Sequence, residues 1–365
     1  MTPGIGISKR MTKKLTHSGV HMKNFKYVAL FTIWFFSFGS LFAQFETEVS
    51  GVGTNAASFL EIGVGARAMA MGGSYVAVAD DPTALYYNPA GIVWMNNVQI
   101  EVMHNEWLVG TDYDFIGATL PLPFFNSTIG VSMIMLNYGD QPVRTTERPE
   151  GTGETYGARD YAVALTWASA LTNRFSFGMT GKYINQKIWN ETGGTFALDL
   201  GVFYSTPVKG LKLGMSMSNF GGEISLRGRD LATTTDPDEK NLNVDRIPVS
   251  YETGSYPLPI LFRAGISYQQ DLGALGSMVA STDLNHPSNT TESINMGFEY
   301  GYAGIFFLRA GYENLYEQDA INGLTVGGGI DYFERGKMGF RVDYAYSDWG
   351  PLENAHRFSV GIIFD

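Results

Sequence analysis

From about Val98 to Phe364 apolar and polar positions alternate with period two, interrupted by turn-rich stretches. Period two marks the β-strand, whose successive side chains point to opposite faces. Three segments show it most clearly. Tyr161, Val163, Leu165 and Trp167 share one face, with Asp160, Ala162, Ala164, Thr166 and Ala168 opposite. Phe175, Phe177, Met179 and Tyr183 oppose Ser176, Gly178, Thr180 and Lys182. Phe196, Leu198, Leu200, Val202 and Tyr204 oppose Thr195, Ala197, Asp199, Gly201 and Ser205. The pattern predicts fourteen strands, at 98–104, 112–120, 127–138, 156–170, 173–187, 194–206, 209–219, 258–270, 277–285, 293–302, 305–313, 323–333, 338–347 and 355–364.

A β-sandwich also alternates, but its apolar face is inside and its outer face is richly charged. Here the polar face is mostly Gly, Ala, Ser and Thr with single charges, which fits the lumen of a barrel, and the apolar face is capped by aromatics. After the second strand the connections alternate short (171–172, 207–208, 271–276, 303–304, 334–337) and long (139–155, 188–193, 220–257, 286–292, 314–322, 348–354). Membrane barrels have an even strand number, short periplasmic turns and longer outer loops. The fold expected is all-β: a transmembrane antiparallel β-barrel of about fourteen strands over 98–365, with both barrel ends on the periplasmic side.

Composition agrees. Glycine is 44 of 365 residues against a usual ~7%. Cysteine is absent, which excludes disulfides and thiol chemistry. Residues 22–43 read as a secretory signal: Lys23 and Lys26, then an uncharged apolar run, then Leu41-Phe42-Ala43 before Gln44. A signal anchor is the competing interpretation. The stretch before Met22 adds only basic residues and is expected to be an extension upstream of the natural start. Six of the 25 Lys/Arg and none of the 36 Asp/Glu precede residue 44, leaving 19 against 36 and a net charge of −17. That excess argues against nucleic acid as a partner. After the signal, no other run approaches the ~20 apolar residues of a spanning helix, so any membrane crossing is by strands.

Between signal and strands, residues 44–97 carry a different pattern. Phe59 to Ile92 reads FLEIGVGARAMAMGGSYVAVADDPTALYYNPAGI. Gly65 to Ala70 is rich in small residues, and Gly72-Gly73 permits a tight turn. Asp81-Pro82 reads as an N-cap followed by Pro at the first helical position, opening a short helix to Tyr86 or Tyr87. Asn88-Pro89 stops it, and Gly91 lets the chain turn onward. A compact small-residue element placed before a barrel would fit inside the lumen as a plug.

Gly65-Ala66-Arg67-Ala68, Met71-Gly72-Gly73, Ala79-Asp80-Asp81 and Tyr86-Tyr87-Asn88-Pro89-Ala90-Gly91 closely resemble the PorV/PorQ family of outer-membrane proteins, within the wider FadL-like group of fourteen-stranded barrels. The resemblance is strong over about 58–95. It implies that this segment is an N-terminal hatch, with Gly72, Gly73, Asp81, Asn88, Pro89 and Ala90 in it and Asn88 bonded to backbone inside the lumen. The functional implication divides. PorV-like members are components of type IX secretion, handling secreted proteins and other secretion subunits; FadL-like members are channels for hydrophobic small molecules. The final strand places Phe358, Val360, Ile362 and Phe364 on one face. It resembles the terminal strand read by the barrel-insertion machinery, with Ser359 where Gly is preferred and one residue past the last aromatic. The implied surroundings are outer-membrane lipid of a Gram-negative cell.

Enzyme chemistry is not indicated. HExxH, Walker A and GxSxG are absent. His104, His286 and His356 lack ligand spacing, and Gly51-Val-Gly is an incomplete dinucleotide fingerprint. Asp236, Asp238, Glu239 and Lys240 with Asn241 and Asn243 only loosely resemble a calcium loop. No cofactor or metal is expected.

Overall fold

The computed structural model describes residues 51–237, 246–317, 320–333, 338–352 and 354–364. The signal 1–43 and the acidic loop positions 238–243 lie outside the described residues.

Fourteen strands form the wall: β1 (Val98–Trp107), β2 (Thr111–Leu122), β3 (Ser127–Pro142), β4 (Thr155–Ala170), β5 (Phe175–Ile188), β6 (Glu191–Ser205), β7 (Leu211–Gly221), β8 (Leu261–Asp271), β9 (Ser277–Pro287), β10 (Ser293–Tyr302), β11 (Phe306–Leu315), β12 (Leu324–Tyr332), β13 (Gly339–Asp348) and β14 (Asn354–Phe364). Each pairs antiparallel with its sequence neighbours. β1 closes on β14, from Val98 opposite Phe364 to Glu106 opposite His356. Closure removes both sheet edges, so every wall backbone group can pair without water. Each expected strand is present, with ends moved by a few residues.

Two connections differ from expectation. The loop expected at 188–193 shrinks to Trp189-Asn190, because the β5–β6 ladder runs on to Ile188 opposite Glu191. Thr192, Gly193 and Gly194 carry no apolar alternation, yet their backbones still pair. The 222–260 connection holds a small hairpin, Ala232–Thr235 with Ile247–Ser250, which its sequence did not signal.

The facing decides between barrel and sandwich. Leu165, Phe196, Leu308 and Phe358 are 63, 73, 68 and 54% exposed, whereas Thr166, Asp199, Ser281 and Ser359 are buried. Apolar side chains point out and polar ones in, which only lipid outside and packing inside make stable. Exposed Trp167, Tyr204, Tyr302, Phe306 and Phe340 lie toward the end where Val98 pairs with Phe364, and Tyr183, Phe262 and Tyr312 toward the other. These are the aromatic girdles of a membrane barrel.

The inner face encloses most of residues 56–95, and the chain from 51 to 55 lies at its rim. This inner segment contains α1 (Ala66–Ala70), α2 (Ala84–Tyr87) and single 3₁₀ turns at Ser58–Glu61 and Pro89–Trp94. Phe59, Leu60, Val64, Tyr75 and Tyr87 pack with Met103, Tyr113, Phe115 and Ile184 of the wall. α2 begins at Ala84 rather than directly after Pro82. Asp81 builds the turn leading into it, its Oδ1 accepting from the Thr83 N–H at 3.0 Å and the Thr83 hydroxyl at 2.5 Å.

Leu165→Arg places a charge on the lipid face and is expected to destabilise the barrel by roughly 2–4 kcal/mol at mid-membrane, while Leu165→Phe is expected to be near neutral. Urea titration in lipid vesicles, followed by heat-modifiable gel migration, checks this. Equal stability of the two variants would mean the facing is wrong. Thr166→Arg on the opposite face is expected to be no milder, since Thr166 is fully buried and hydrogen-bonded to Thr180 at 2.8 Å, which leaves no room for the longer side chain.

Candidate functional site

The inner segment sits where the wall has glycine. A Cβ added to Gly178 would lie 2.4 Å from the Pro89 carbonyl carbon, and one at Gly214 2.3 Å from the Val76 oxygen. At Gly297 it would lie 2.4 Å from the Met71 oxygen, and at Gly311 2.1 Å from the Gly72 nitrogen. Gly201 meets the Asn88 side chain and Gly327 meets Ala70 in the same way. Several are cross-strand partners: Gly178 with Gly201, and Gly297 with Gly311. Close backbone approach is a recognised use of glycine inside strands, and here it makes a seat around the lumen.

Wall side chains complete the segment's hydrogen bonding. Ser359 Oγ accepts from the Ala66 N–H at 2.8 Å, and Thr325 Oγ1 accepts from the Gly72 N–H at 3.0 Å. Ser281, Ser267 and Ser176 donate to the carbonyls of Ser74, Ala77 and Ala90, each at 2.8 Å. Asp283 Oδ2 accepts from the Tyr75 and Val76 N–H groups at 2.7 and 2.9 Å. Segment backbone without a ladder of its own is thereby satisfied, as buried backbone must be.

Arg67 forms the electrostatic centre. Its Nε and Nη2 fork onto Glu299 of β10 at 2.8 and 3.0 Å, and its Nη1 reaches Asp80 at 2.6 Å and Asp81 at 3.3 Å. Glu299 also accepts from Arg309 at 2.6 Å, which binds Asp343 at 2.6 Å. Arg341 lies 3.7 Å from Asp81 and 2.9 Å from Asp331. The planar guanidinium suits bidentate carboxylates. Partial loss of hydration opposes charge on Asp80, but Arg67 together with Lys212 and Arg341 outweighs it and holds the carboxyl well below the usual range. Burial also raises Tyr75, whose hydroxyl donates to Asp81.

The remaining motif residues have local duties. Asn88 Nδ2 donates to the carbonyls of Val76 and Val202 at 2.9 and 3.0 Å, and its Oδ1 accepts from the Ala90 N–H at 3.1 Å. Pro89 opens the 3₁₀ turn after it. Gly72 and Gly73 have φ near +65° and +64°, so the tight turn needs glycine. Gly65 has φ +79° and a Thr83 methyl against it. Gly91 serves close packing rather than a change of direction: a Cβ there would lie 2.3 Å from the Ala79 oxygen. Phe358, Val360 and Phe364 face outward, and Ile362 is half-buried.

Sequence reasoning missed Glu299, Arg309, Asp343, Arg341 and Asp283. Their signal was an isolated charge among small residues on the polar face of a strand, with two such charges, Arg341 and Asp343, on β13. His104, His286 and His356 contact Asp114, Glu292 and Tyr344 separately. No group of three metal-capable side chains forms among the described residues. At the end away from Val98 and Phe364 the lumen opens into a cavity of about 410 Å³, bordered by Tyr86, Tyr87, Trp107, Arg263, Trp349 and Arg357.

No family model and no curated protein matches this chain. Solved structures do. The toluene transporter TbuX of Ralstonia pickettii is 13% identical, with 82% of this chain and 97% of that one covered and a TM-score of 0.51. The CymD monoaromatic hydrocarbon channel is 12% identical, with 82% and 96% covered and a TM-score of 0.54. The fold is that of an outer-membrane β-barrel. Its surroundings are the outer membrane of a Gram-negative cell. A FadL homologue of Pseudomonas aeruginosa is more distant in shape, at 12% identity, 86% and 98% coverage and a TM-score of 0.48. The PorV/PorQ resemblance of the 58–95 block stands on the sequence alone.

Two predictions follow from the seat and its charge centre. Gly178→Ala is expected to destabilise the barrel by about 1–3 kcal/mol through overpacking. Gly181→Ala, on the same strand with open space around it, is expected to be tolerated. Urea midpoints of the two variants check this. Arg67→Met leaves buried carboxylates short of a partner, at about 3–5 kcal/mol. It is expected to make the inner segment cleavable by protease while the strands stay intact, read by mass spectrometry of the fragments.

Proposed function

We propose that this chain is a non-enzymatic FadL-like channel of the outer membrane, with residues 51–96 as its hatch, that admits hydrophobic small molecules. The observation that carries this is the likeness, over four-fifths of the chain, to TbuX and CymD, which are a toluene transporter and a monoaromatic hydrocarbon channel. The polar, filled lumen bears on how passage would occur. The β2–β3 ladder is continuous, and β3–β4 breaks register only between Asn137 and Asp140. Ordered ladders of this kind offer no opening in that part of the wall, so passage requires the hatch to shift.

A second reading is a part in type IX-like protein secretion or surface attachment. It is favoured by the 58–95 block and by the same closed interior, since a platform for secreted proteins needs no route through its lumen. Its partners would be secreted proteins and secretion subunits.

Uptake of labelled toluene into proteoliposomes, against empty vesicles, tests the channel. Faster entry that Arg67→Met alters is the expected result; entry no faster than in empty vesicles would overturn it. Gentle detergent capture from the native envelope, with mass spectrometry of proteins and lipids, separates the two: secretion subunits would favour the second reading, and a lone barrel carrying hydrophobic ligands the first.

A further inference from the structure

The side chains bordering the cavity at the far end of the lumen include buried polar atoms that the protein leaves without partners. The cavity's volume, about 410 Å³, lies within the usual ~300–1,000 Å³ of small-molecule sites. Arg263, Arg357 and Glu313 border it, and all three are at least nine-tenths buried. Each is anchored at one atom and free at another. Arg263 Nη2 donates to the Tyr86 hydroxyl at 3.2 Å, while its Nη1 has no partner. Arg357 Nη1 donates to Ser347 Oγ at 2.9 Å, while its Nη2 has none. Glu313 Oε2 accepts from Asn322 at 2.6 Å, while its Oε1 has none. Trp349 Nε1 is a fourth unpaired atom.

Aromatic rings supply the rest of the lining. Arg263 lies 5.0 Å from the Tyr86 ring centre and 5.5 Å from that of Tyr87. Arg357 lies 5.1 Å from the Trp107 ring, which meets Trp349 edge-on at 4.9 Å. Stacking on the rings limits the freedom of both guanidinium groups.

We propose that this cavity binds a small zwitterion of the amino-acid kind with an apolar or aromatic side chain. Its carboxylate meets Arg263 Nη1, Arg357 Nη2 and the Trp349 N–H. Its ammonium meets Glu313 Oε1, and its side chain lies on the tyrosine and tryptophan rings. Three unpaired donors and one unpaired carboxylate oxygen select this chemistry. Excluding water from unpaired buried charges is costly, so a neutral hydrocarbon would strand all four atoms, and a simple anion would strand Glu313. The site does not depend on passage through the barrel.

The test is calorimetric titration of the detergent-solubilised barrel with L-phenylalanine, 3-phenylpropionate and phenethylamine. Phenylalanine is expected to bind saturably, and each half-analogue at least about tenfold more weakly. Glu313→Gln is expected to weaken phenylalanine by about tenfold but leave phenylpropionate unchanged, a selectivity that misfolding cannot produce. Trp349→Phe is expected to weaken phenylalanine and phenylpropionate alike. Heat-modifiable migration checks that each variant is folded. No saturable binding of phenylalanine to the folded protein, or equal binding of phenylpropionate, would overturn the proposal.

Discussion

Arg67 is the only cation among residues 51–96, and the interior is arranged around it. A buried guanidinium is costly unless its charge and hydrogen bonds are met. Here one ligand comes from the wall (Glu299) and two from the inner segment (Asp80, Asp81), so a single side chain fixes where the segment sits relative to β10. Arg309 and Arg341 neutralise the carboxylates that Arg67 shares, linking β10 through β13 to the same network. Moving the segment means separating these charges together. A segment held in this way resists displacement until something offsets the cost.

The glycine seat works at shorter range. Charge chooses the position, and the missing Cβ atoms let backbone approach backbone at Gly178, Gly214, Gly297 and Gly311. Serine and threonine hydroxyls beside them then reach the segment's peptide groups. The small polar inner face is therefore specific complementary packing as well as compatibility with a lumen.

Strand number, facing and closure were legible because lipid outside and packing inside impose opposite polarity on alternate residues, as Leu165 and Thr166 illustrate. The turn at Gly72-Gly73 was legible because few residues adopt a φ near +65°, and the halt at Asn88 because the proline after it disfavours helix. The partners of Arg67 were not legible. Glu299 lies 232 residues away, and nothing local distinguishes it from any other lumen-facing charge. The short β5–β6 connection was missed for a related reason: ladder pairing near Gly193 and Gly194 is a backbone property that side-chain alternation does not report. The arginines of the outer cavity, Arg263 and Arg357, looked like ordinary polar-face residues, since only the closed barrel brings both beside Tyr87.

The most direct measurement is hydrogen–deuterium exchange of the folded barrel in detergent, resolved over residues 64–91. A segment seated on the glycines and pinned by Arg67 exchanges slowly, at Tyr75, Val76 and Ala90 nearly as slowly as in the wall strands. Immediate exchange throughout 64–91, with the wall still protected, would contradict a filled and locked lumen.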